Sequence, residues 1–109
     1  MVETLRVLAQ KAPPPTVLTD LYTVPTSTST AISSIVICNQ NSIDVAFRVS
    51  VAVAGAEDSI IQYLYFDLPM LANDTFTATI GMTLAATDIV RVQTDTNSVS
   101  FTLFGDEIS

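Results

Sequence analysis

Histidine and tryptophan are absent from this chain, cysteine occurs once, glycine three times, and lysine plus arginine total only four. Without an imidazole no side chain has an ordinary pKa suited to shuttling protons near neutrality. A Ser–His–Asp or Cys–His nucleophilic site therefore cannot be assembled. A single cysteine, Cys38, excludes an intrachain disulfide. It follows Ile35, Val36 and Ile37 and is expected as a small buried hydrophobe. The cations Arg6, Lys11, Arg48 and Arg91 are scattered, so no basic patch exists to neutralise phosphates or to meet anionic lipid. Neither nucleic acid nor a membrane is expected as a partner. No apolar run approaches the ~20 residues of a membrane span. The stretch Met1-Val2-Glu3-Thr4-Leu5-Arg6 lacks the basic segment and apolar core of a signal peptide, so synthesis in a cytoplasm is expected. Gly55, Gly81 and Gly105 stand too far apart to form a phosphate-cradling loop.

What is present is apolar and hydroxylated. Apolar residues make up 49% of the 109 residues and charged ones 14%, against roughly 25% charged in an average domain. Ser and Thr supply about a quarter of the chain. Hydroxyls are cheaper to bury than ions, which suits close subunit packing, and Thr also suits strands. The length fits one domain with one core. Net charge is −7.

The pattern along the chain is strand after strand. Residues 1–15 differ from the rest: a mixed segment runs into Pro13-Pro14-Pro15, which fixes an extended spacer. We read 1–15 as an extended N-terminal arm and 16–109 as the domain. Leu5, Val7 and Leu8 give the arm apolar side chains to lay on a neighbour. Strands are expected over Thr16–Val24 and Thr30–Asn39. The clearest segment puts Ile43, Val45, Phe47, Val49, Val51 and Val53 on one face. Gly55-Ala56-Glu57-Asp58 turns the chain. Ser59–Leu68 is apolar on both sides, with Ile61, Tyr63 and Tyr65 opposed to Ile60, Leu64 and Phe66, and is expected to be covered twice. Pro69 is expected to end it. Thr75–Thr83, Ile89–Thr94 and Ser98–Phe104 complete the set. Seven or eight strands with no stretch of helical period predict an all-β fold, a single antiparallel β-sandwich of jelly-roll or Ig-like connectivity.

Chemistry-bearing constellations are sparse. Asp74, Asp88 and Asp95 each sit at a strand end beside Asn, Thr or Ser, where Asp bonds local turn N–H groups. Asp95-Thr96-Asn97 and Glu57-Asp58 offer one or two oxygens each, without the spacing of a calcium loop. Asn73-Asp74-Thr75 fits a glycosylation triplet but reads as a turn. No catalytic, cofactor-binding or metal-binding residues are expected. The residues singled out are an interface set: Leu5, Val7 and Leu8 in the arm, and Tyr63, Tyr65 and Phe66 on the doubly apolar strand.

Leu21-Tyr22-Thr23-Val24-Pro25, a Ser/Thr-rich turn and a strand ending Ile37-Cys38-Asn39 resemble the opening of small virion structural proteins of tailed bacteriophages, especially cyanophage and marine types. The stretch from Asn73-Asp74-Thr75-Phe76 through Gly81 and Leu84 to Asp88-Ile89-Val90-Arg91-Val92 is similar, as is the ending Val99–Gly105. The resemblance implies a β-sandwich on the virion, synthesised in the host bacterial cytoplasm, with no active site to carry over. It implies a capsid decoration or cement protein that binds the major capsid protein or other virion proteins, often as a homo-oligomer, a trimer being favoured. A tail, neck or baseplate component is the alternative. A carbohydrate- or receptor-binding module is a third, against which the missing Trp counts.

Overall fold

The computed structural model describes residues 2–109. Nine strands form: β1 (Glu3–Lys11), β2 (Thr19–Thr23), β3 (Ser29–Asn39), β4 (Val45–Ala52), β5 (Tyr63–Met70), β6 (Thr75–Ala78), β7 (Met82–Leu84), β8 (Ile89–Thr94) and β9 (Val99–Ile108). They make two antiparallel sheets. The first runs β1-β9-β3-β6, with β7 also on β3, and the second runs β2-β8-β4-β5. β6 and β7 share one side of β3 and act as a single interrupted strand. The pairs β1·β9, β2·β8, β3·β6/β7 and β4·β5 are then the rungs of one long folded ladder, closed by β3·β9 and β4·β8. That winding is the jelly roll rather than the Ig-like order.

Alternation along each strand builds the core. Ile35, Ile37, Val99, Phe101 and Leu103 of the first sheet face Phe47, Val49, Val90 and Val92 of the second, all essentially inaccessible. Phe47 stands at the centre, with ring centroids 5.3 Å from Phe76, 6.0 Å from Tyr65 and 6.3 Å from Phe101. Tilted and edge-on arrangements at these spacings add to simple burial. Gly105 lies in β9 between its two neighbours. A Cβ there would come within 2.5 Å of the Ala31 carbonyl oxygen and 2.8 Å of Leu8 Cδ1, so only hydrogen fits.

Several expectations are corrected. The boundary at residue 15 does not divide the structure, because Glu3–Lys11 is an edge strand paired along β9. A slip between Val7 and Ala9 turns Leu8 into the core and breaks the period-2 pattern that would have marked a strand. The three prolines follow the strand and carry the chain over to the other sheet. Met1, at the head of the expected arm, lies outside the described residues. Ile43 and Val53 continue the β4 alternation in sequence but fall beyond its ends and are exposed. Pro69 lies within β5 rather than ending it, which an edge strand tolerates because one side of its ladder needs no N–H donor. Cys38 is only half-buried, on the outer face of the first sheet opposite Ser100 and Thr75.

Candidate interaction surface

The loop from β4 to β5 carries the most exposed large apolar side chains. Val53–Gly55 and Ile60–Gln62 each make one 3-10 turn. Ala54 and Gly55 adopt left-handed backbone, with φ of 54° and 71°. For alanine this conformation is unfavourable and must be held from outside. The Asp88 carboxylate does so, accepting the N–H of Ala54 at 2.8 Å and that of Ala85 at 2.9 Å. The Arg91 guanidinium donates to the Ala56 and Gly55 carbonyls at 2.8 and 3.4 Å and to Asp20 at 3.0 Å. Gln62 donates to the Glu57 carbonyl at 2.8 Å. On this braced loop Ile60 and Ile61 are 89% and 88% exposed and Val53 is 70% exposed.

The loop leads into β5, whose pairing with β4 slips twice. Tyr65 stands opposite Val49 and Tyr63 opposite Ser50, so one extra residue between them sends the two rings to opposite faces. Tyr65 enters the core, 5.4 Å from Phe76. Tyr63 lies on the outer face with its centroid 5.1 Å from that of Phe66, and the Arg48 guanidinium sits 4.0 Å above the Phe66 ring. Arg48 also donates to both oxygens of Asp67, at 2.6 and 3.2 Å. That pairing holds the Asp67 carboxyl below its ordinary value, and burial together with a hydrogen bond to Asp58 pushes the Tyr63 phenol up.

The expected interface residues are thus spread over two surfaces. Leu5, 83% exposed, and Val7 lie on the outer face of the first sheet, while Leu8 is core. Phe66 is exposed on the second sheet beside half-buried Tyr63, and Tyr65 is partly buried against the core. Ile60, Ile61 and Val53 were missed as loop residues because adjacent β-branched side chains imitate a strand.

The outer face of the first sheet combines Val7, Val36 and Phe104 with the hydroxyls of Ser34, Thr77, Ser100 and Thr102, and its charges, Glu3 and Asp106, lie at one end. At that same end Tyr22 donates to Glu107, which also accepts from Arg6 at 3.1 Å, and the Thr30 hydroxyl lies 2.9 Å from the Tyr22 oxygen. Burial, then the bond to Glu107, pushes the Tyr22 phenol up to about 12. Asp74 serves its own turn, accepting the Thr75 N–H at 2.8 Å, whereas Asp95 reaches across to the distant strand β4 and accepts the Ala46 N–H at 3.1 Å. Among the described residues no group of three or more His, Cys, Asp or Glu gathers in metal-binding geometry.

No protein-family model matches the chain, and no curated protein sequence does. Among solved structures, a chain in the structure of infectious bursal disease virus Gx strain superposes on it with a TM-score of 0.54 at 11% identity. The match covers 97% of this chain and 32% of the other. At that identity the likeness is one of fold, and this chain spans about a third of the viral chain's length.

Proposed function

We propose that this chain is a structural protein of a virus particle that works by adhesion, as a capsid decoration or cement protein of a tailed-phage type, without catalytic turnover. The observation that carries the reading is the pinned loop that holds Val53, Ile60 and Ile61 out in water. Apolar side chains fixed in solvent mark a contact surface when they cluster. Covering one aliphatic side chain is worth ~1.5–3 kcal/mol. Repetition around a symmetric shell multiplies such modest contacts. The fold likeness to a chain of a virus structure supports the viral setting, and the nearly uncharged outer face of the first sheet supports close packing against protein. Quantitative mass spectrometry of purified virions tests it. Copies numbering in the hundreds per particle fit a shell protein, a ring-like number at one vertex moves the chain to tail or neck, and absence from the particle overturns the proposal.

A further inference from the structure

The chain's four cations are all engaged within it. Arg6 pairs with Glu107, Arg48 with Asp67 and Arg91 with Asp20, and the Lys11 ammonium donates to the Asp20 carbonyl at 2.6 Å. Against eleven acids, these four cations leave a surplus of negative charge. On the outer face of the second sheet a cavity of about 310 Å³ opens among Thr16, Arg48, Asp67, Gln93 and Asp95. Arg48 is already neutralised there by Asp67. Asp95 uses one oxygen, Oδ1, to accept from the Ala46 N–H and the Thr96 hydroxyl at 3.1 and 3.0 Å. Asp95 Oδ2 and the Gln93 amide make no hydrogen bond among the described residues. The cavity therefore presents unused acceptors and one uncompensated carboxylate. Among the described residues no aromatic ring lines it, which removes the stacking surface a sugar would use.

We propose that this cavity is a socket for a cationic side chain, the guanidinium of Arg or the ammonium of Lys, presented by a partner protein. Asp95 Oδ2 accepts one of its N–H groups and the Gln93 carbonyl oxygen a second. The fork of donors on a guanidinium suits two neighbouring acceptors. The surplus negative charge of the chain draws basic surfaces and repels acidic ones. This deepens the adhesion reading and rests on it only for the identity of the partner.

The test is an NMR titration of the full chain at low salt, where screening is least. The probes are N-acetyl-arginine amide, its neutral isostere N-acetyl-citrulline amide, and galactose. The expected result is saturable shifts of the Gln93 side-chain amide and the Ala46 and Thr96 backbone amides with the arginine probe alone. Asp95→Asn keeps the Oδ1 acceptor and loses only the charge, so it should fold as before and bind the arginine probe about fivefold more weakly. An equal response to citrulline, a response to galactose instead, or an Asp95→Asn protein that binds as wild type would overturn the proposal. The readout needs no particle, so its failure leaves virion copy number untouched, and a chain absent from virions would leave the socket standing.

Discussion

Asp88→Ala removes the carboxylate that holds both Ala54, at φ 54°, and the turn before β8. Two backbone N–H groups lose their acceptor in a place where Asp88 itself is only 8% exposed. Each orphaned donor costs ~1–3 kcal/mol, less whatever water recovers on entry. The left-handed alanine then loses its own N–H acceptor and is held only through the neighbouring Gly55 and Ala56 carbonyls that Arg91 binds. The loss should total ~2–4 kcal/mol, or a fall of ~8–16 °C in Tm at roughly 4 °C per kcal/mol for a domain of this size. Asp88→Asn keeps one acceptor and turns an amide N–H toward the other donor, so it should lose about half as much. Thermal unfolding followed by circular dichroism measures both. Hydrogen exchange should show faster exchange at Ala54 and Ala85 in Asp88→Ala. A Tm within 2 °C of wild type, or an Asn variant less stable than the Ala variant, would refute the view that this carboxylate braces the loop.

Two further outcomes follow from the geometry. Gly105→Ala drives a methyl group against the Ala31 carbonyl oxygen and Leu8. Because a backbone oxygen cannot swing aside, the cost should reach or exceed the ~1–3 kcal/mol of ordinary overpacking, and an unchanged urea midpoint would contradict it. Tyr22 ionises at about 12 when folded against 10.0 unfolded. The unfolded chain therefore releases this proton first, and its contribution to stability is whole below pH 10 and lost as pH rises toward 12. Tyr22→Phe should flatten that alkaline decline, leaving the smaller part due to Tyr63, whereas identical profiles would count against the buried phenol–carboxylate bond.

Strand existence was legible in the sequence because period-2 alternation in β3, β4, β8 and β9 reports one buried face directly. Connectivity was not, since periodicity says nothing of which strand lies beside which. The first strand escaped notice because this edge strand is exposed along nearly its whole length, Leu8 and Ala9 apart, and the Val7/Ala9 slip scrambles its phase. Tyr63 and Tyr65, two apart in sequence, promised one face. The slip between them packs Tyr65 against the core and leaves Tyr63 half-buried on the outer face, and slips leave no mark in composition. The socket residues carry no motif either, since Thr16, Arg48 and the Gln93–Asp95 stretch come from three separate segments that meet only when the second sheet forms.

Rebinding to virions stripped of this chain compares wild type with the double variant Ile60→Ser, Ile61→Ser. Both side chains are almost wholly in water, so Tm should stay nearly fixed. If the loop is the adhesive surface, the lost apolar cover lowers occupancy at least tenfold at limiting protein, by the ~1.5–3 kcal/mol each side chain contributes on burial. Equal occupancy of the two proteins would contradict the account.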